Sequence, residues 1–125
     1  MIRGDSTQKR SDSMDFMTAV KTCFAKYADF SGRASRSEYW WFVLFEVIVL
    51  VVAQFIHEYV YLLAALAFLL PALAAGARRL HDIGKSGWFL LLCIIPLVNL
   101  YLIYLMVQPS QPESNSFGAP PTVAA

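Results

Sequence analysis

Charge is scarce in this sequence, and the residue patterns of most enzyme sites are absent. Only 15% of the 125 residues are charged, whereas 58% are hydrophobic, above the roughly 45–50% of a soluble domain. The two cysteines, Cys23 and Cys93, lack the spacing of a zinc site or a disulfide framework. No glycine-rich phosphate or dinucleotide loop is present. We therefore expect no metal and no cofactor, and a net charge of +1 gives no indication of nucleic-acid binding.

The amino-terminal region divides into a polar tail and an amphipathic helix. Residues 1–13 lack the apolar core of a signal peptide, so we expect a disordered tail. Residues 14–30 place apolar side chains at spacings of three and four, which predicts a helix lying in the cytoplasmic membrane interface or packed on the inner end of a bundle. Asp12 or Ser13 is the expected amino-terminal cap, and Gly32 lies where this helix should end.

Three apolar runs, 39–56, 59–77 and 88–107, are each close to the length needed to cross a hydrocarbon core of ~30 Å. The second contains Pro71 among small residues that permit close helix packing. The sequence predicts an all-α membrane protein with three transmembrane helices preceded by the amphipathic helix. The membrane domain then covers 14–107, and the Pro- and Ser-rich segment 108–125 is expected to be a flexible tail.

The third run has an alternative form, because Pro96 and Asn99 interrupt its middle. A hairpin turning near these residues would return the chain to the side from which it came. Each arm would have only about ten residues, too few to cross the bilayer, so a single kinked helix is favoured.

All ten Lys and Arg residues fall on one side of the three-span arrangement. The positive-inside rule then predicts a cytoplasmic amino terminus and an external carboxyl terminus. The basic residues are Arg3, Lys9, Arg10, Lys21, Lys26, Arg33 and Arg36 before the first run, and Arg78, Arg79 and Lys85 between the second and third.

Two polar segments meet on this basic side, DFSGRASRSEYWWF at 29–42 and ARRLHDIGKSGW at 77–88. With the Pro96 interruption and the closing NSFGAP at 115–120, they resemble the YhaH-like bacterial inner-membrane family, known as domain of unknown function 805. The resemblance covers 24–118. It implies a three-span inner-membrane protein and supplies no activity. The motif residues on the cytoplasmic face are Asp29, Gly32, Glu38, Trp40, His81, Asp82, Gly84, Gly87 and Trp88.

The basic residues of these segments have two interpretations. Arginine forks match phosphate oxygens, so a site for anionic phospholipid headgroups or another phosphate ligand is one hypothesis. The other, which is favoured, is that the positive charges fix the topology and pair with nearby acids. The candidate phosphate contacts are Arg33, Arg36, Arg78, Arg79 and Lys85.

Glu46 is the main candidate for an intramembrane polar site, because burying a carboxylate within a membrane span costs free energy. It belongs either to a proton or cation path, with Gln54, Asn99 or Tyr104 nearby, or it is a structural glutamate that holds helices together, neutral or paired with Arg78 or Arg79. His81 beside Asp82 does not make a catalytic pair, and a bond to backbone or to Glu38 is expected.

Three functional classes follow. A structural, lipid-binding or regulatory membrane module, with a membrane-protein partner or a homo-oligomer, ranks first. An oligomeric transporter or channel subunit using Glu46 ranks second, and a lipid-headgroup enzyme ranks third, so no catalytic residue is assigned.

Overall fold

The computed structural model describes residues 14–121, which form four α-helices and one 3₁₀ helix. The expected tail at 1–13, with its proposed caps Asp12 and Ser13, lies outside the described residues, as does 122–125. The elements are α1 (Phe16–Ala25), α2 (Arg36–Ile56), α3 (Glu58–Asp82), the 3₁₀ helix (Gly87–Ile94) and α4 (Val98–Met106).

Helices α2 and α3 form an antiparallel pair, and both are long and apolar enough to cross a membrane. Their 21 and 25 residues correspond to about 31 and 37 Å. Ser35 caps the start of α2 by accepting from the Glu38 amide, and His57 ends α2 and caps α3 through the Tyr59 amide. Helix α3 is therefore longer than the ~30 Å that a hydrocarbon core requires.

The second predicted run stops too early at residue 77, because α3 continues to Asp82. The chain has no helix breaker until Gly84, which adopts a left-handed φ of +81°. Arg78, Arg79 and Asp82, expected in a loop, therefore project from the last turns of a helix. That placement decides what they contact.

Helix α1 packs on α2 and is shorter than the predicted 14–30. Asp15 caps it by accepting from the Thr18 amide at 2.8 Å. Gly32 does not end this helix; it lies in the following loop with φ +85°. Aromatic rings of α1, α2 and α3 pack edge to face or tilted between the three helices, with centroids 5.5–6.1 Å apart, and include Phe24, Phe42, Phe45 and Phe68.

The third apolar run is a hairpin, which corrects the expectation of a single kinked helix; within residues 14–121 two helices, α2 and α3, are long and apolar enough to cross a membrane. The 3₁₀ helix ends at Ile94, the chain reverses over 95–97 with Leu97 at φ 70°, and α4 returns. The Trp40 indole donates to the Met106 carbonyl at 2.9 Å, so α4 ends beside the start of α2. The arms of eight and nine residues reach roughly 16 and 14 Å, about half a bilayer.

The described part of the carboxyl-terminal segment follows α4 back to the same end. Arg33 donates to the carbonyls of Gln111, Glu113 and Gly118. Residues 108–121 thus lie at the end that carries the basic motifs, whereas the sequence placed the tail at the opposite end. The difference arises because the hairpin reverses the chain once more than a single span would.

Candidate functional site

Six charged or titratable side chains are buried together where α2 begins and α3 ends. The loop before α2 covers the last turns of α3, and the Ala34 amide donates to the Arg78 carbonyl at 2.9 Å. We call this group the arginine cluster; its members are Arg33, Glu38, Arg78, Arg79, His81 and Asp82.

Arg78 pairs with Glu38 across the two long helices, with Nη1 and Oε2 2.5 Å apart and both side chains almost fully buried. Arg78 Nε also donates to the Asp29 carbonyl at 3.0 Å. The Cys23 thiol lies 3.9 Å from Glu38 Oε2, and burial, followed by the Glu38 charge, raises the pKa of this thiol to about 12. Cys23 is therefore a protonated thiol in the core of the site.

Asp82 is shared by two arginines. Its carboxylate accepts from Arg33 Nε at 3.0 Å and from Arg79 Nη1 at 2.9 Å, and it also accepts from the Ser110 hydroxyl. A buried carboxylate is stable only when its lone pairs are filled, and here three donors from three parts of the chain fill them. Asp82 therefore joins the loop before α2, the end of α3 and the tail.

The carbonyls that end α4 accept from cationic or indole donors. Met106 accepts from Trp40 and from Arg79 Nε, each at 2.9 Å, Val107 from Arg36 at 3.0 Å, and Gln108 from Arg79. The last carbonyls of a helix lack partners within it and carry partial negative charge, so these donors satisfy them. The cluster thereby fixes the returning arm of the hairpin.

These contacts decide which of the five candidate phosphate contacts remain available to an external anion. Arg33, Arg78 and Arg79 are buried and engaged with acids and carbonyls of the same chain. Arg36 is exposed and donates one hydrogen bond, from Nη1 to the Val107 carbonyl. Lys85 is half-buried and takes part in none of the three ion pairs found within residues 14–121. Arg36 and Lys85 are thus the two candidates with capacity for an external anion.

His81 makes the backbone bond expected from the sequence, with Nδ1 2.9 Å from the Gly32 carbonyl. A carbonyl only accepts, so Nδ1 carries the proton, and in the neutral ring Nε2 is an acceptor. The ring stacks on Phe117 with centroids 4.0 Å apart and planes 2° from parallel. His81 does not contact Glu38, whose carboxylate is held by Arg78.

An open apolar groove of about 620 Å³ lies beside His81, between α3, the 3₁₀ helix and the tail. We call it the interfacial groove. Gly87 contributes to it because a Cβ there would lie 3.0 Å from that of Ala77 and 3.5 Å from His81 Nε2. Its walls include Phe30, Ala77, His81, Trp88, Leu91 and Phe117.

A second cavity of about 410 Å³ contains two of the three intramembrane candidates, Glu46 and Asn99. We call it the mid-membrane cavity; α2, α3 and both arms of the hairpin line this partly open space. Gln54 and Tyr104 are exposed and do not line it. Arg78 and Arg79, considered as partners for Glu46, pair instead with Glu38 and Asp82.

Sequence reasoning missed the contribution of the tail. Ser110 and four backbone carbonyls of the tail complete the arginine cluster, and the Asn115 side chain donates to the His81 carbonyl at 3.0 Å. The NSFGAP segment was the available signal, since Asn115 and Gly118 form a tight turn that presents the Gly118 carbonyl to Arg33. Within residues 14–121, no group of three or more His, Cys, Asp or Glu side chains is arranged to hold a metal ion.

Comparison with known proteins identifies the family. The sequence model described as a protein of unknown function, DUF805, matches residues 27–119. Inner membrane protein YhaI of Escherichia coli is 38% identical over 103 residues, covering 76% of this chain and 87% of YhaI. Inner membrane protein YhaH of the same species is 33% identical over 107 residues, covering 76% and 88%. No solved structure matches the chain. The chain therefore belongs to the DUF805 family and is a bacterial inner-membrane protein.

Proposed function

We propose that this protein is a lipid-binding module whose interfacial groove holds an acyl chain of an anionic phospholipid, with the phosphate at Lys85. The observation that carries the proposal is the position of the groove. It opens at the basic end of the two long helices, and Lys85 directly precedes Ser86 and Gly87 in its wall.

The walls of the groove suit an acyl chain. Trp88 and Leu91 are 78% and 58% exposed, and the surrounding surface is apolar. Exposed apolar surface of this extent marks a binding or membrane-contact site. At headgroup depth the available apolar partner is lipid, and an indole at that depth favours the interface.

The polar features select the headgroup. A lysine near the membrane surface attracts anionic lipid by about 1 kcal/mol. His81 Nε2 lies at the groove as an acceptor, because Nδ1 is the donor to Gly32, and an acceptor there suits a headgroup that carries hydroxyls. Phosphatidylglycerol combines a negative phosphate with such hydroxyls.

The proposal includes a topology of two spans and one re-entrant hairpin, with both ends of the described chain in the cytoplasm. Every described Lys and Arg lies at or near the arginine-cluster end or on α1, and His57 and Glu58 form the turn at the other end. Single cysteines at Glu58 and Glu113, in a variant lacking Cys23 and Cys93, test it. A membrane-impermeant maleimide should label intact spheroplasts at position 58 only; labelling at 113 would refute the arrangement.

The transporter or channel subunit is supported less well. A pore shared between copies needs Glu46 on an outward face of the helix pair. Glu46 instead is half-buried and faces a cavity lined by α3 and the hairpin of its own chain. The groove therefore provides the better-supported function.

Native mass spectrometry of the protein released in mild detergent tests lipid binding. Lys85→Gln should lower the affinity for added phosphatidylglycerol about fivefold, the equivalent of about 1 kcal/mol. Leu91→Trp fills the groove and should abolish retention of the lipid. Lys26→Gln and Leu62→Trp, which change exposed residues away from the groove, are the matched controls and should bind as the wild type does.

The outcomes separate the hypotheses. Equal retention by Lys85→Gln, Leu91→Trp and the wild type would refute a site in the groove. Equal binding of phosphatidylglycerol and the zwitterionic phosphatidylethanolamine would show that the acyl chain alone is recognised and would refute the role of Lys85.

A further inference from the structure

Glu46 occupies the midpoint of α2. It is ten residues from Arg36 and ten from Ile56, the two ends of the helix, so it lies about 15 Å along the axis from each. That position corresponds to the centre of the hydrocarbon core. A carboxylate there is costly unless it is neutral, hydrated or matched by a cation.

The chain does not supply that cation. Arg78 and Arg79, the basic residues nearest along α3, are turned toward Glu38 and Asp82 in the arginine cluster. Among residues 14–121, no hydrogen bond or ion pair to the Glu46 carboxyl is formed. Glu46 is therefore not the structural pair considered from the sequence.

The space beside Glu46 has the dimensions of a small-molecule site. The mid-membrane cavity measures about 410 Å³, within the range of about 300–1,000 Å³ typical of ligand pockets. Ala65 and Ala72 of α3 leave this space open, since larger side chains would fill it. Most of the lining is apolar, and Asn99 on α4 faces the same space as Glu46.

We propose that the mid-membrane cavity binds an organic cation with an apolar body. The Glu46 carboxylate serves as its counterion, the Asn99 side-chain oxygen as a second acceptor, and the leucine-rich walls enclose the apolar part. A low-dielectric cavity strengthens the attraction between opposite charges and excludes an unpaired one. This site adjoins the interfacial groove, with which it shares the wall residues Leu73 and Leu90, and it does not depend on the lipid proposal.

Benzyltrimethylammonium is a suitable probe, because its charge is permanent and neopentylbenzene is its uncharged isostere. Binding of the radiolabelled cation is measured by equilibrium dialysis against the protein in nanodiscs of zwitterionic lipid, with empty nanodiscs subtracted. We expect one saturable site per chain. Glu46→Gln should weaken binding at least tenfold, whereas the control Glu58→Gln, at the exposed start of α3, should leave it unchanged.

Three further results decide the proposal. Lowering the pH should weaken binding in the wild type and not in Glu46→Gln, since only a carboxylate gains a proton. Competition by neopentylbenzene as strong as that by the unlabelled cation would refute recognition of charge. Absence of saturable binding, or equal binding by Glu46→Gln, would also overturn the site.

A second variant keeps the test decisive if Glu46→Gln does not fold. Ala65→Phe leaves the carboxyl in place and fills the cavity from the α3 side. Loss of cation binding in this variant, with phosphatidylglycerol retention unchanged, supports the mid-membrane cavity. Binding that survives Ala65→Phe places the cation elsewhere and overturns the proposal.

Discussion

The Glu38–Arg78 pair should behave as a buried ion pair whose two halves depend on each other. Glu38→Met leaves the Arg78 guanidinium buried without its carboxylate, and Arg78→Met leaves the carboxylate without its cation. Removing one partner of such a pair costs about 3–5 kcal/mol. The whole free energy of unfolding of a domain is about 5–15 kcal/mol, so each single change should be severe.

The double variant Glu38→Met/Arg78→Met provides the decisive comparison. Methionine is flexible and fills irregular space, and replacing both charges by apolar side chains removes the uncompensated charge. The remaining cost comes from the Asp29 carbonyl, which loses the Arg78 Nε donor, at about 1 kcal/mol. We therefore expect the double variant to be more stable than either single variant.

Helicity measured during titration of the protein from mild detergent into sodium dodecyl sulfate reports the free energy of unfolding. Glu58→Met, at the exposed far end of α3, is the matched control and should change stability by less than about 0.5 kcal/mol. The reasoning fails if Glu38→Met unfolds with the control. It also fails if the double variant shows the sum of the two single losses, because the charges would then act independently.

Two other predictions follow from the same region. The pKa of about 12 keeps the Cys23 thiol protonated well above neutral pH. In a Cys93→Ser variant, which lacks the exposed thiol, a maleimide at pH 8 should leave Cys23 unmodified in the folded protein and modify it after unfolding. Mass spectrometry measures the difference, and rapid labelling of Cys23 in the folded variant would contradict its burial. Gly84→Ala should lower the free energy of unfolding by about 1–2 kcal/mol, because the φ of +81° at this position is left-handed and unfavourable for a residue with a Cβ. Unchanged stability in the same detergent titration would show that the turn tolerates a side chain.

The sequence predicted the parts of the fold that depend on local composition. Two apolar runs became α2 and α3, the polar break at His57 became the turn between them, and the three-and-four spacing over 14–30 predicted α1, which the structure confines to Phe16–Ala25. The bounds of α1 and α3 differ from the predicted ones, because a helix begins or ends at a single capping residue that hydrophobic periodicity does not locate. Asp15 begins α1, and α3 continues past residue 77 until Ile83 and Gly84.

The hairpin could not be predicted from its own composition. A run of twenty apolar residues with Pro96 in the middle fits a kinked span and a hairpin equally well in hydropathy. The difference lies in partners remote in sequence: Trp40 and Arg79 reach the end of α4, and Arg33 reaches the tail. The pairing of Arg78 with Glu38 could not be predicted either, because the two residues are 40 positions apart in the sequence.

The arginine cluster also explains how the end of so short a hairpin is held. The last carbonyls of the nine-residue helix α4 have no partners within the helix and need donors from elsewhere. Arg36, Arg79 and Trp40 supply these donors, and Asp82 balances the charge of Arg79. The positive-inside rule uses such arginines only to assign the cytoplasmic side of the membrane. Here Arg33, Arg78 and Arg79 are buried structural groups, and this leaves Arg36 and Lys85 with capacity for an external anion and the unpaired Glu46 in the mid-membrane cavity with capacity for a cation.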